Sequence, residues 1–440
     1  MTDASPDNTQ SESTLQFAHA LSTSHDPVES GSRAGETIAN ALESTPDLVI
    51  GFVTPPFAQR VGMIADAIRD HCAPKHLMLV TSAAVMCADQ EVDQTPAVAL
   101  LGATLPNVDI HPYWAEHLNA NDPPQQRAAQ IAQTINATES MACSFFIADP
   151  FSVPLVNLVP TLSESRVEYS DEHGTTHKIG TIFGGLASGA TTPGHNTLFL
   201  DGQIRNHGGM GITLSGDLQV DTIVSQGCRP FGRPMVITRA RGNLILELGG
   251  QPAVDAVREQ LATLSDDDRK LLSEGLLIGR VINEAKAHFG RADFLIRNLM
   301  GGDEQSGAIA VADLVSAGQT IQLHLHDAQT AREDLALLLD AQRLYNRPKG
   351  ALVVSCTGRT QKFFGEPAHD ARAIRHAFDP TPDGATRAKS GHQVDAGENA
   401  IPLAGFFAAG EIGPISDHIF HHGHTAIAAL FREPETIDLT

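Results

Sequence analysis

The chain has no CxxC pair. Its five cysteines, Cys72, Cys87, Cys143, Cys228 and Cys356, are scattered and odd in number. That supports neither a disulfide framework nor a cysteine zinc site, and a reduced, cytoplasmic setting is the simplest reading. No apolar run approaches the roughly 18 residues of a spanning helix. The first residues, MTDASPDNTQSEST, offer neither the basic nor the apolar region of a secretory signal. Basic residues are scarce: 30 Lys+Arg stand against 52 Asp+Glu, a formal charge of −22. Such a surface repels phosphate backbones, so nucleic acid is an unexpected partner. Nucleotide and hydrolase fingerprints are missing as well. There is no GxxxxGK[ST], no GxGxxG opening a helix, no HExxH and no GxSxG.

What is present is a chain of 440 residues, 42% hydrophobic, enough for a substantial core. The densest stretch is 405–431, GFFAAGEIGPISDHIFHHGHTAIAALF. Two buried-strand patterns, Leu403–Ala409 and Thr425–Phe431, flank a segment holding Glu411, Asp417, His418, His421, His422 and His424. Apolar strands around a run of titratable groups are what a site needs.

Related patterns occur earlier. Asp47–Val53 reads as a strand, Phe57–Cys72 as a helix and His76–Val80 as a strand ending in Thr81–Ala84. Pro96–Ala103 is a further strand. A second copy runs from Ala142: a strand, a helix over Pro154–Leu162, an exposed polar loop over Glu164–Lys178, and a strand Ile179–Phe183 ending in Gly184–Gly189. A third begins at Gly350, with a helix over Asp370–Phe378 and a loop over Asp379–Ala400. Strand–helix–strand–small-residue turn–strand thus occurs three times; simple α/β alternation is the plain alternative. Between the second and third copies, a hairpin (Pro234–Thr238, Leu244–Leu248), helices over Ala253–Leu264 and Thr330–Leu344, and strands Gly307–Val311 and Thr320–Leu325 suggest a smaller α+β unit. The expected class is α/β: repeated units forming mixed sheets flanked by helices, plus that subdomain.

Several residues invite a chemical role. The histidines His418, His421, His422 and His424 suggest a metal or haem, but a closed site needs a defined tetrahedral set and no thiolate is near. Hydrogen-bonded roles are the favoured reading, with no cofactor. Cys356, with Arg359 three residues on, suggests an activated thiol; a buried structural thiol is the default. His324 and His326 share a strand face and rank lower. Arg229, Arg233, Arg239 and Arg241 lie in an acid-free stretch. They read equally as a carboxylate or phosphate site and as a solvated face paired with acids elsewhere. Gly184-Gly185 and Gly208–Gly211 read as turns in preference to close approach to a ligand.

With those motifs in hand, the chain resembles the FIST family. The matching segments are DLVIGF, PAVALLGATLPNVDI, GGLASGA, SQGCRPFGRPMVIT, GNLILELGGQPA, GALVVSCTGR, FFGEPAHD and GFFAAGEIGP with HHGHTA, in family order over roughly residues 15–431. The resemblance implies an intracellular sensory module with an N-terminal half (14–235) and a C-terminal half (236–431). Tails of 1–13, read as disordered, and 432–440 flank them. Small molecules such as amino acids are the proposed ligands of such modules, and some relatives bind haem. No fused output domain is visible, which implies a separate signalling partner such as a kinase or cyclase. Thr360 stands where a Gly is usual after SCxGR, and TSAAVMC lacks the usual glycines. The expected ligand contacts are Ser188, Arg229, Cys356, Arg359, Glu411 and His424. Arg229 or Arg359 would hold an anionic group, Glu411 an amine. A hydrolase or acyl-transfer enzyme using Cys356 or Glu411/His424 is the rival, and a protein-interaction scaffold the third reading.

Overall fold

A computed structural model describes residues 14–115, 123–171, 173–286, 288–379 and 400–434. The tail expected over 1–13, nearly all of the loop expected over 379–400, and the chain after 434 lie outside the described residues.

The repeat is larger than the sequence pattern suggests. Each copy is strand–helix–strand–helix–strand, then a hairpin, then a last strand. The first runs Gln16–Ser22, Pro27–Ala41, Leu48–Val53, Val61–Cys72, His76–Thr81 and, after its hairpin, Val98–Thr104. The second runs Val108–Ala115, Pro124–Thr134, Met141–Ala148, Leu155–Glu164, Thr181–Leu186 and Gly209–Gly216. The third runs Gln219–Gln226, Ala328–Gln342, Gly350–Cys356, His369–Ala377, Leu403–Ala408 and Thr425–Arg432. Every copy builds the same six-stranded sheet. Its order is first, last, second and third strand, followed by a hairpin from another copy. The second and third strands are parallel, in registers that align Val53 with Thr81, Ala148 with Leu186 and Cys356 with Ala408.

The hairpins are exchanged in a cycle. Ala84–Cys87 and Gln90–Asp93 leave the first copy to edge the third sheet. Leu198–Leu200 and Gln203–Arg205 leave the second to edge the first. Glu411–Ile415 and His418–His422 leave the third to edge the second. Each exchange covers a strand edge that would otherwise carry unpaired backbone groups.

The three sheets face one another across a common core. Phe52 of the first stacks on Phe406 of the third at 4.9 Å, and Phe17 on Phe431 at 5.0 Å. In Leu48–Val53, Leu48, Ile50 and Phe52 point into this shared core, while Val49 and Val53 meet the helices outside. Burial on both faces is why such strands read as unbroken apolar runs rather than as alternation.

The crossing turns meet at one point. Ser188 Oγ donates to the Phe407 carbonyl and accepts from the Ala83 amide at 2.9 Å. Ser82 Oγ reaches the same carbonyl at 3.3 Å, Gly189 N donates to Thr81 O, and Leu186 N donates to Gly410 O. By register, Thr81–Ala84 matches Leu186–Gly189 and Ala408–Glu411. The second turn therefore begins two residues later than Gly184. Gly184 and Gly185 lie within a strand, not a turn. A Cβ at Gly184 would collide with the Phe146 carbonyl of the neighbouring strand, so only glycine fits. Gly209 and Gly211 are likewise strand residues.

The smaller unit is an insertion. Residues 228–326 interrupt the third copy between its first strand and first helix. They form seven antiparallel strands, in the order Cys228–Arg241, Thr320–His326, Leu276–Val281, Phe294–Asp303, Ala308–Val311, Leu244–Leu248 and Gln251–Pro252. Pairing between Cys228–Arg241 and Leu244–Leu248 closes them into a small barrel. The polar segment 164–178, expected to be a loop, carries a short hairpin, Glu168–Ser170 with Thr176–Lys178. Leu344, expected on a helix face, lies past the end of Ala328–Gln342 and is exposed.

Candidate functional site

The third copy differs from the first where its parallel strands end. Val53 closes the second strand of the first copy and is apolar; Cys356 closes the equivalent strand of the third. Ala84 opens the first exchanged hairpin; Glu411 opens the third. Strand ends of this kind are where open α/β sheets bind ligands.

After Cys356 the chain turns tightly. Arg359 N donates to Cys356 O at 2.8 Å, and the Arg359 side chain folds inward until it is fully buried. Its Nε and Nη2 donate to the two Asp370 oxygens at 2.9 and 2.8 Å. Asp370 sits in the first turn of His369–Ala377 and also accepts from Ser355 Oγ at 2.9 Å. Burial works against its charge, but Arg359 and His369 outweigh it and hold the carboxyl below the usual range. Arg359 Nη1 has no partner.

Glu411 is fully buried. Its Oε2 accepts the Thr425 amide at 3.1 Å, and Oε1 has no partner. Burial pushes its carboxyl up to about 8, against the pull of the Thr425 amide, Cys356 and Arg359. The neighbouring Cys356 thiol is pushed up to about 12 by burial and then by Glu411. A thiol so placed stays protonated near neutrality, the opposite of an activated nucleophile. Arg359 does not rescue it, because Asp370 already neutralises the guanidinium.

His424 precedes the last strand. Its Nε2 lies 2.8 Å from Asn298 Oδ1 of the barrel, and its Nδ1 has no partner. With the amide oxygen as acceptor, Nε2 carries the proton and Nδ1 is a bare acceptor. Burial, helped by Arg359, lowers its pKa to about 4. His326, the last barrel residue before the chain returns, meets the His424 ring edge-on at 4.6 Å and stacks on Phe363 at 3.8 Å. Its Nε2 is also without a partner. Two glycines lie where these groups converge, and at Gly227 a side chain would block Arg359. A Cβ on Gly227 would sit 2.7 Å from Arg359 Nη1, and one on Gly358 would lie within 3.7 Å of His424 Nδ1, Cys356 Sγ and His326 Cε1.

The structure therefore brings Cys356, Arg359, Glu411 and His424 together and leaves two expected contacts elsewhere. Ser188 stitches the crossing turns. Arg229 binds Asp327 at 3.1 Å and Asp268, tying the barrel to the residue that caps helix Ala328–Gln342. Arg239 pairs with Glu247 at 3.2 Å. For these two arginines, the acid-free stretch is balanced by acids elsewhere in the fold. Sequence reasoning underrated His326 and missed Asp370 and Asn298, whose partners come from distant segments. The remaining histidines do not converge. His418 is exposed, His422 Nε2 binds Gly413 O at 3.1 Å, and His421 packs against Gly410. Among the described residues, no group of three or more His, Cys, Asp or Glu is placed to hold a metal ion. Nor, among them, is any helix long and apolar enough to cross a membrane.

An α/β repeat protein with a buried polar cluster at its strand ends is thus defined. Residues 47–251 match the model of the FIST N domain and residues 253–414 that of the FIST C domain. The chain belongs to the FIST family, whose domains are generally sensory, ligand-binding signalling modules. Among similar proteins is "Uncharacterized protein Rv0628c" of Mycobacterium tuberculosis, 33% identical over 404 residues, covering 90% of this chain and 95% of the relative. Another is "Uncharacterized protein Mb0898c" of Mycobacterium bovis, 32% identical over 407 residues, covering 92% and 94%.

Proposed function

We propose that the chain is a cytoplasmic sensor that binds a small anionic or zwitterionic metabolite, such as an amino acid, at the Cys356–Arg359–Glu411–His424 cluster. One observation carries the reading. Three buried side-chain atoms around Gly227 and Gly358 lack partners, Arg359 Nη1, His326 Nε2 and His424 Nδ1, and Glu411 Oε1, on the carboxyl beside Cys356, lacks one as well. Buried polar atoms are nearly always satisfied, so several orphans in one place call for a ligand or water. The set is complementary to an amino acid. Arg359 Nη1 donates to a carboxylate and His424 Nδ1 accepts from an amine, while Glu411, neutral in the free protein, accepts from a bound ammonium once that charge draws it into its ionised form. Ser188 and Arg229, expected as contacts, act here as supports. The chain divides at about residue 235 in this reading, and its output passes to a separate partner such as a kinase or cyclase.

The test is a melting screen of amino acids, carboxylates and phosphorylated metabolites. A ligand that binds only the folded state adds about 2.7 kcal/mol at 100 times Kd. Glu411→Gln keeps the shape and removes the ionisable group, and is expected to weaken the shift. A screen in which no metabolite moves the midpoint would reject the reading in favour of the interaction scaffold.

A further inference from the structure

The barrel hangs from two adjacent peptides. The chain enters it at Gly227 and leaves at Asp327, and Asp327 N donates to Gly227 O at 3.0 Å. Its apolar clusters draw only on residues 228–325. Among the described residues, no apolar cluster spans the barrel and the three repeats. The ties across the boundary are polar or aromatic. Gln226 Nε2 donates to Phe294 O at 3.0 Å, His424 meets Asn298 at 2.8 Å, His326 stacks on Phe363 at 3.8 Å, and Arg291 faces Glu333 at 4.0 Å. A unit with its own core and a polar boundary moves as a body by default.

The pivot and the cluster coincide. A side chain at Gly227 would meet Arg359, and Gly227 N donates to the His424 carbonyl at 3.2 Å. Arg359, Glu411 and Cys356 belong to the repeats; His326 and Asn298 belong to the barrel. A ligand that satisfies Arg359 and Glu411 on one side, and His326 on the other, has contacts that exist only when the barrel is docked. Such differential contact is what shifts a two-state equilibrium.

We propose that the barrel is a hinged body pivoting at Gly227 and Asp327, and that occupancy of the cluster holds it docked. The ligand half of this inference rests on the proposed function; the hinge half does not. Undocking exposes the junction without unfolding the repeats, as sub-global openings do.

The full chain carries its own reporters. Cys228 and Cys356 lie at the junction, whereas Cys72 and Cys143 are buried inside the first and second repeats. Native-state alkylation with iodoacetamide, read by mass spectrometry, is expected to label Cys228 and Cys356 faster than Cys72 and Cys143. Asn298→Ala removes one tie and should speed the junction pair about tenfold, the equivalent of one lost hydrogen bond, leaving Cys143 unchanged. All cysteines reacting together at the rate of global unfolding would overturn the hinge. The common L-amino acids, added singly, supply the second arm. One that raises the melting midpoint should slow Cys228, which faces Arg359 and Glu411 from the barrel side of the junction. A raised midpoint with Cys228 unslowed overturns ligand control and leaves binding intact. If no amino acid moves the midpoint or slows Cys228, ligand control by this class is rejected together with the binding reading, while the hinge is decided by the free protein.

Discussion

Arg359 and Asp370 meet through two parallel hydrogen bonds of 2.9 and 2.8 Å, with both side chains sealed from solvent. Removing either partner strands the other as an uncompensated buried charge, which costs about 3–5 kcal/mol. Asp370→Asn is therefore expected to lower unfolding free energy by about that much. Urea denaturation reads it directly. A change under about 1 kcal/mol would mean that water reaches Arg359 and that the pair is only a surface bridge.

Two opposing pH dependences sit in the same region. Glu411 has its carboxyl raised from 4.5 to about 8, so its contribution is full below pH 4.5 and disappears as pH rises through about 8. His324, His421 and His424 are lowered from 6.5 to about 4, each first by burial. Their contribution is full above pH 6.5 and is lost as pH falls through about 4. The windows overlap, and three histidines outweigh one carboxyl there, so stability should rise to about pH 6.5 and fall from there to about 8. Glu411→Gln should flatten the alkaline limb and leave the acid limb in place. An alkaline limb unchanged in the variant would assign it to another group.

Ser188 separates a structural reading from a ligand-contact reading. Its hydroxyl joins the Ala83 amide to the Phe407 carbonyl where all three repeats meet. Ser188→Ala leaves a backbone amide without a partner, which costs about 1–3 kcal/mol. The expected result is a lower melting midpoint with an unchanged Kd for any metabolite found in the screen. A Kd that rises while the midpoint holds would return Ser188 to the binding site.

The repeat was visible where burial on two faces wrote apolar runs, as in Leu48–Val53, Gly350–Cys356 and Leu403–Ala408. It was invisible where one face meets solvent or the sequence is polar. Helix Pro124–Thr134 carries four glutamines and one large buried apolar side chain, Ile131, so its period is faint. The hairpins at 84–93 and 411–422 sit beside their parent strands in sequence yet pair with other copies, which no local signal encodes. The barrel strands Leu276–Val281 and Phe294–Asp303 were also missed. The second begins apolar but runs out through Met300-Gly301-Gly302-Asp303, which reads as loop. Within the site, Cys356, Arg359, Glu411 and His424 were legible as chemistry on strand ends. Arg229 was misleading, because its two carboxylate partners lie 39 and 98 residues away.

Cyclic exchange makes a claim about the two family halves. The hairpin 84–93 lies in the N-terminal half but edges the third sheet, where Ala404, Gly405 and Phe406 pair with Cys87, Met86 and Val85. Strand Gln219–Gln226 pairs along its length with Thr425–Arg432. In the other direction, Glu411 and Ile412 cover the strand holding Gly184 and Gly185. A chain of residues 236–434 alone would expose both edges of the Leu403–Ala408/Thr425–Arg432 sheet, with their apolar faces bare. Exposed hydrophobic edges aggregate. The expected outcome is that neither 14–235 nor 236–434 gives a cooperative melt when expressed singly, while co-expression yields a soluble complex with a single transition. Sharp independent melting of both pieces would show that the exchanged hairpins contribute little and that each half folds as its own domain.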